Sequence, residues 1–225
     1  MSMDPSLPRR TPAKSMDSVR PLTPELRKLI KQKTGVDYET TADLPAKLVL
    51  NRSPHLSDVS LLAGVSELSL GWCPRIMDVS PLAAVTTLNL SYCNVSDVSA
   101  LGKVTTLCLW GCTRVTDVSA LGGVTTLQLN GCTGVSDVSA LHTVKHLSLC
   151  GCTAVTDISA LGALTTLSIS YCTRIVDVSA VSAVPNLSMR GCTGVRNIKD
   201  LPKRVQLILL QPELDDETDE EEEVE

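Results

Sequence analysis

The feature that most constrains this chain is a motif that returns about every 20 residues. Its clearest copy covers residues 87–101 and has the sequence TLNLSYCNVSDVSAL. Repetition at this period predicts a stack of small units, because each unit can bury its apolar side chains only against its neighbours. The Leu-x-Leu doublet of the motif begins at Leu48, Leu68, Leu88, Leu107, Leu127, Leu147, Leu167, Leu187 and, more loosely, Leu207. These near-equal units predict a solenoid, not a globular core with a central cleft.

Two periodicities alternate within each unit. The alternation around Leu-x-Leu has a period of two residues, which predicts a short strand with its leucines turned inward. The Asp-Val-Ser-Ala-Leu segment that follows predicts a single helical or 3₁₀ turn that the Asp caps. Since each unit repeats the direction of the one before it, the strands are expected to pair in parallel. The capping residues are Asp58, Asp78, Asp97, Asp117, Asp137, Asp157 and Asp177.

This motif resembles that of leucine-rich repeat proteins. The segment Leu88-x-Leu90-x-x-Cys93 has Cys where many members of that family have Asn, and residues 78–82 (DVSPL) are similar to the Asp-Ile-Ser-Pro-Leu arc of internalin-type repeats. The resemblance covers roughly residues 44–210. It implies an α/β solenoid, with a curved parallel sheet of about nine short strands on the concave side and short 3₁₀ or helical arcs on the convex side.

Segments that depart from the repeat predict how the array begins and ends. Thr23 is suited to cap a helix, Pro24 to its first position and Gly35 to its end, so we expect a short helix that covers the first open layer. Residues 205–210 are expected to form the last strand. The third unit is one residue shorter than the others, and there we expect Asn94 to adopt an unusual backbone angle.

The composition along the chain predicts four segments. Residues 1–20 are rich in Pro, Ser and basic residues, and residues 213–225 contain ten Asp or Glu and no Lys or Arg. Neither composition can bury an apolar face, so both ends are expected to be disordered. The predicted organisation is a basic Pro-rich arm (1–20), an N-terminal helical cap (21–43), a leucine-rich repeat domain (44–211) and an acidic tail (212–225).

Cysteines recur at one position of the repeat. Of the nine in the chain, seven share this position, which predicts a column of buried, reduced thiols that donate hydrogen bonds to the backbone. Cys108 and Cys150 fall in outward columns, where a thiol is accessible to reagents. The chain has no zinc-type ligand spacing, Gly-rich phosphate loop or Ser/His/Asp arrangement. We therefore expect no metal, no cofactor and no enzymatic activity.

The chain also has no run of 18 or more apolar residues, and its first 20 residues lack the apolar stretch of a signal peptide. These features predict an intracellular protein, cytoplasmic or nuclear, with a monomer as the default state.

Outward-facing strand positions define the concave face, and most of them are Thr or Ser. Four of the five aromatic residues (Trp72, Tyr92, Trp110 and Tyr171) fall at one edge of this face, which we call the aromatic edge. Aromatic and Arg side chains are common anchors of protein interfaces, although these aromatics are also suited simply to shield the edge of the solenoid. The candidate partner-binding residues are Glu67, Trp72, Arg75, Asn89, Tyr92, Trp110, Arg114, Gln128, His146, Tyr171 and Arg190.

Taken alone, the sequence favours a non-enzymatic scaffold that binds a partner protein through the concave face and the aromatic edge. One alternative is a chaperone or regulator of histones or other basic proteins that acts through the acidic tail. A second alternative is a structural subunit of a larger assembly. A small-molecule substrate and a membrane are not favoured. Nucleic acid is not favoured either, since the repeat region is neutral and the acidic tail repels phosphate.

Overall fold

The computed structural model describes residues 19–196 and 198–210, with the backbone alone for residues 207–210. Eight three-residue strands pair in parallel, in chain order, to form one open curved sheet. Each strand places its central Leu beside the central Leu of the next, from Leu48 beside Leu68 to Leu167 beside Leu187. The strands are β1 (Lys47–Val49), β2 (Glu67–Ser69), β3 (Thr87–Asn89), β4 (Thr106–Cys108), β5 (Thr126–Gln128), β6 (His146–Ser148), β7 (Thr166–Ser168) and β8 (Asn186–Ser188). We number the repeat units 1 to 8 by these strands.

After each strand the chain makes a 3₁₀ turn on the opposite side of the solenoid, as the motif predicts. The turns are Ser60–Leu62, Ser80–Leu82, Ser99–Leu101, Ser119–Gly123, Ser139–Thr143, Ser159–Leu161, Ser179–Val181 and Ile198–Asp200. In unit 3, Leu88, Leu90, Val98 and Leu101 all point inward and are at most 2% exposed. The core is therefore a stack of columns, each built from one or two apolar residue types.

The cysteine column is buried, and each of its thiols donates a hydrogen bond to the preceding unit. Each thiol donates to the carbonyl oxygen of the second Leu, or its Ile replacement, in the preceding strand segment, over 3.0–3.4 Å. Unit 1 has no unit before it, and Ser53 Oγ there donates to its own Leu50 carbonyl. Burial raises the pKa of every thiol in the column, to about 12 at Cys112 and Cys132, so these groups stay protonated.

The seven aspartates hold the 3₁₀ turns, as predicted, from one position earlier than a standard N-cap. In each of units 1 to 7 an Asp Oδ1 accepts the N–H of the Ser two residues later, over 2.8–2.9 Å. A Val or Ile stands between the two, at the N-cap position. Hydrogen bonds from this Ser lower the pKa of each Asp below its usual value.

The N-terminal helix α1 (Pro24–Thr34) covers the open side of unit 1. Thr23 Oγ1 accepts the Leu26 N–H over 3.3 Å, and Gly35 ends the helix in the left-handed conformation with a φ of 76°. Leu26 and Ile30 are buried in the same core as the repeats. The cap, the stop and the apolar stripe therefore agree with the sequence-based expectation.

At the other end of the array, the prediction of a ninth strand is wrong. Residues 203–210 form helix α2 (Lys203–Leu210), which buries Val205. Arg204 donates to the carbonyl oxygens of Val184 and Pro185, tying the helix to unit 8. A helix satisfies its own backbone groups, whereas a terminal strand would leave an open edge. The described part of the repeat array therefore has eight strands.

Asn94 does not have the backbone angle expected of it. The left-handed residue of unit 3 is Tyr92, with a φ of 57°, at the position where the other units also have a positive φ. Asn94 instead bridges the shortened turn to unit 2, since its Nδ2 donates to the Pro74 carbonyl over 2.9 Å. The missing residue is thus compensated by a side-chain hydrogen bond.

Candidate functional site

One residue in the turn after each strand has a left-handed backbone, and we call these positions the left-handed column. In units 1 to 7 their N–H groups donate to a carbonyl of the following unit, as Trp72 does to Ser91 and Tyr92 to Trp110, over 2.7–2.8 Å. Because this ladder fixes the backbone, the conformation is the same whatever the side chain. The column consists of Arg52, Trp72, Tyr92, Gly111, Gly131, Gly151, Tyr171 and Gly191, with φ between 55° and 69°.

Glycine adopts such angles without steric cost, while a bulky L-residue does not. Half of the units therefore use the favoured residue and half do not. Three of the four exceptions are aromatic, and they are part of the aromatic edge that the sequence singles out.

Trp72, Tyr92 and Trp110 form a continuous cluster of rings across units 2 to 4, which we call the aromatic cluster. The Trp72 and Tyr92 ring centroids are 4.0 Å apart with an interplanar angle of 17°, so these two rings stack. The Tyr92 and Trp110 centroids are 6.0 Å apart with the rings tilted by 35°. All three side chains remain exposed, at 53%, 38% and 48% respectively. This produces a flat apolar surface open to solvent.

The Tyr92 ring lies against Gly111, the next residue of the left-handed column. A Cβ atom added at Gly111 would lie 2.6 Å from the ring, which is too close for any side chain. The same relation holds between Gly191 and Tyr171. Among the residues that the structure describes, however, no ring contacts Tyr171, so this fourth aromatic of the edge stands apart from the cluster.

A line of polar side chains holds the turns beneath the aromatic cluster. Asn51 Oδ1 accepts the Gly71 N–H and the Ser69 hydroxyl, both over 2.8 Å. Asn89 donates to Ser69 Oγ over 3.1 Å and accepts the Ser91 N–H over 2.9 Å. The residues immediately before Trp72 and Tyr92 are thereby fixed, which orients the rings. Asn51 was not among the candidates predicted from the sequence. Its recurrence as Asn130 at the same position of a later unit was the signal that could have identified it.

The remaining candidates are spread over the concave face and the adjoining turns. Glu67 lies in β2 and pairs with Lys47 over 3.6 Å. Gln128 is exposed in β5, and His146 is half-buried in β6, where Nδ1 lies 3.0 Å from Thr166 Oγ1. Asn89 has its amide already engaged in the polar line described above. These four do not converge on one point.

Arginines follow the aromatic edge along the turns. Arg75 and Arg114 are exposed in units 2 and 4, the units of Trp72 and Trp110. Arg190 is half-buried in unit 8, and its N–H donates to Ser170 Oγ over 3.2 Å. Arg52, in the left-handed column directly before Trp72, is a further exposed cation that was not among the candidates predicted from the sequence. The structure therefore places Arg75 and Arg114 close to the aromatic cluster and Arg190 far from it.

Other kinds of site find little support in the described part of the chain. It contains no group of three or more His, Cys, Asp or Glu residues arranged to hold a metal ion. Within the same residues, no helix is both long and apolar enough to cross a membrane. An open cavity of about 630 Å³ lies between α1 and the first turn of unit 1. The acidic tail, on which the basic-protein chaperone alternative depends, lies outside the described residues.

Solved structures with this arrangement include internalins from Listeria monocytogenes. The internalin C2 structure matches with a TM-score of 0.55 and 25% identity, over 75% of this chain and 84% of that one. The internalin F structure matches with the same TM-score and 24% identity, over 74% of this chain. The chain has an internalin-like leucine-rich repeat fold. It spans about half of the internalin F structure, 54% of its length.

This leucine-rich repeat fold also occurs in the type III effector XopL. Its repeat domain matches with a TM-score of 0.50 and 15% identity, over 72% of this chain and 75% of that domain. No protein-family model matches the sequence, and no curated protein sequence matches it either. The fold and the internalin-type resemblance of the repeats are thus confirmed by structural similarity.

Proposed function

We propose that this protein is a non-enzymatic scaffold that binds a partner protein through the concave face and the aromatic edge. The observation that carries the proposal is the aromatic cluster, where three exposed rings lie side by side and two of them, Trp72 and Tyr92, are stacked. Solenoids commonly use their extended concave side as a binding surface. The cluster supplies what the rest of that face lacks, which is a large apolar contact area.

Two features make the cluster costly for the isolated protein. Trp72 and Tyr92 hold left-handed backbone angles, which cost an L-residue roughly 1–2 kcal/mol compared with Gly. Each also leaves much of a large apolar side chain in water, as does Trp110. Backbone strain that persists in a folded protein commonly marks a functional position. Binding gives a reason for both costs, because the rings would be buried only in the complex.

Exposure also favours binding over the alternative of edge shielding. A shielding ring would lie flat on the solenoid and be covered or closely packed, yet Trp72 is 53% exposed and Trp110 48%. Trp and Tyr are enriched among the residues that dominate protein interfaces. Their stacking reduces the side-chain freedom lost on association, which lowers the cost of binding.

The repeat itself provides the substitutions that test this proposal. Trp72→Gly and Tyr92→Gly restore the residue that other units have in the left-handed column. Trp110→Asn gives unit 4 the Asn-Gly pair of Asn130 and Gly131. We expect the triple variant to stay folded and to lose the proteins that the wild-type chain retains in affinity purification with mass spectrometry. Each identified partner would then be titrated against both purified proteins by calorimetry.

A matched control removes an aromatic residue outside the cluster. Tyr171→Gly makes the same change in the left-handed column, three units further along the array. This control is expected to bind the identified partner at least tenfold more tightly than the triple variant. Equal affinity of the wild-type chain and the triple variant for that partner would rule out the aromatic cluster as its binding site.

We propose an intracellular location for this scaffold. All nine cysteines are free, and seven of them are buried in one column. Free thiols in such numbers are characteristic of reducing compartments. Recovery of the native protein from the secreted fraction of its own cells would contradict this location.

A further inference from the structure

The turns beside the aromatic cluster carry an unusual distribution of charge. In every unit the segment from the left-handed column to the residue before the capping Asp, or before Asn197 in unit 8, lacks Asp and Glu. The same segments, taken with the residue before the column, contain six arginines across the eight units. We call this surface the arginine edge, and its members are Arg52, Arg75, Arg114, Arg174, Arg190 and Arg196.

These arginines are not neutralised by the neighbouring acidic residues. The four ion pairs in the described part of the chain lie in the N-terminal cap and between β1 and β2, and none involves the arginine edge. The closest column of acids is the seven capping aspartates. Each of these carboxylates accepts the N–H of a Ser in its own 3₁₀ turn. The arginine edge therefore presents unpaired positive charge next to exposed aromatic rings.

Such a surface favours an extended acidic segment as its ligand. Complementary charge steers a partner and fixes its register, while the aromatic rings supply apolar contact. The chain contains a segment of this chemistry, because residues 213–225 have ten carboxylates and no cation. The ends of the described structure determine whether this segment can reach the arginine edge.

The distances allow that contact. Helix α2 ends at Leu210 and is tied to unit 8 through Arg204. Six strand spacings separate unit 8 from unit 2, which is roughly 30 Å at about 4.8 Å per strand. The 15 residues from 211 to 225 span up to about 50 Å when extended. On the way from unit 8 to the aromatic cluster, Arg190 and Arg174 come first, followed by Arg114 and Arg75.

We propose that the acidic tail occupies the arginine edge of its own chain and covers the aromatic cluster until a partner displaces it. The tail is then an intramolecular competitor, whose effective concentration at the site is in the millimolar range expected for a ligand on a short tether. Single exposed ion pairs contribute little, so occupancy depends on several of them together and is weakened by salt. This inference rests on the proposed function, because it concerns access to the same surface.

Tryptophan fluorescence is a selective probe of this contact. The chain has two tryptophans, Trp72 and Trp110, and both belong to the aromatic cluster. Acrylamide is a neutral quencher, so its access reports coverage of the rings without a bias from charge. The test compares the wild-type chain with a full-length variant in which the ten acids of residues 213–225 are replaced by their amides. We expect a larger Stern–Volmer quenching constant for the amide variant, and no difference in 1 M NaCl, where the Debye length is about 3 Å.

Two variants of equal net charge test whether the arginine edge is responsible for protecting the tryptophan rings from acrylamide. Arg75→Gln with Arg114→Gln is expected to raise the quenching constant of the otherwise wild-type chain to that of the amide variant. Lys103→Gln with Lys145→Gln removes the same charge from exposed positions outside the arginine edge and is expected to leave the protection intact. Equal quenching of the wild-type and amide-tail chains in low salt would overturn the proposal. Equal protection in the two charge variants would overturn it as well.

Concentration dependence separates an intramolecular contact from one between two copies. We expect the protection of the tryptophans to be the same from about 1 to about 100 μM protein. These concentrations lie below the roughly millimolar effective concentration of a tethered ligand, so a second copy does not compete. Protection that grows over this range would show that the tail binds a second copy and would overturn the intramolecular contact. The proposed function is tested separately, since loss of partner binding in the Trp72, Tyr92 and Trp110 triple variant does not depend on the tail.

Discussion

Gly111 has two structural roles, because it occupies the left-handed column and also provides the surface on which the Tyr92 ring lies. Its φ of 69° is accessible to Gly at no steric cost, and a Cβ atom there would lie 2.6 Å from the Tyr92 ring. Gly151 has the same φ, but an added Cβ would meet no atom closer than 3.9 Å. The two glycines therefore differ mainly in the ring contact.

This difference predicts unequal effects of the same substitution. Gly151→Ala is expected to lower the free energy of unfolding by about 1–2 kcal/mol, the usual cost of a left-handed L-residue. Gly111→Ala is expected to cost more, because the Tyr92 ring must also be displaced from its position against residue 111. Urea denaturation of both variants, with tryptophan emission to follow the ring displacement, measures the two effects. Equal destabilisation and unchanged emission would show that the Tyr92 ring does not depend on Gly111.

At the scale of one structural element, the 3₁₀ turns make the stability of the fold depend on pH. Each capping Asp has a pKa lowered by hydrogen bonds from the Ser two residues later. A carboxyl whose pKa is lower in the folded than in the unfolded state stabilises the fold above its unfolded pKa of about 3.9, and this contribution is lost as the pH falls through the folded value. Seven turns carry this group, so we expect cooperative loss of stability below about pH 4.

Asn is the matched replacement, because it keeps the acceptor oxygen and removes the titration. A variant with Asp97→Asn, Asp117→Asn and Asp137→Asn is expected to be less stable than the wild-type chain at pH 6. The difference between the two proteins should narrow as the pH is lowered to 3, as measured by thermal unfolding. A difference that stays constant across this range would show that the three carboxylates contribute no titrating stabilisation.

The elements also show what the sequence could predict. Leu, Cys and Asp recur at the same positions of the repeat, and each copy supports the interpretation of the others. The strands, the buried thiols and the capped turns could therefore all be predicted from the sequence. Residues 203–210 have no second copy, and an apolar run without a repeat to constrain it fits a helix as well as a strand. The left-handed backbone of Trp72 and Tyr92 could have been predicted, because other units have Gly at the same repeat position. The 4.0 Å stacking of their rings could not, since it depends on side-chain geometry.

For the whole molecule, a core built from stacked units makes stability depend on position along the array. Each unit packs on its neighbours, so an array of this kind loses structure first where its end is uncovered. The two ends are covered by different helices, α1 through Ile30 and α2 through Val205, both of which are 0% exposed. A defect in either helix should therefore act locally before it acts on the whole chain.

Ile30→Ala removes part of the N-terminal cover and is expected to cost about 2–5 kcal/mol. Because that cost falls on one end, amide hydrogen exchange should accelerate first in units 1 and 2, while units 5 to 7 keep their protection. The matched variant at the other end is Val205→Ala. It should instead accelerate amide hydrogen exchange in unit 8 and leave units 1 to 3 protected. Uniform acceleration along the chain in both variants would mean that the eight units unfold as one cooperative block. Opposite gradients would establish that the aromatic cluster, in units 2 to 4, depends for its order on α1 and not on α2.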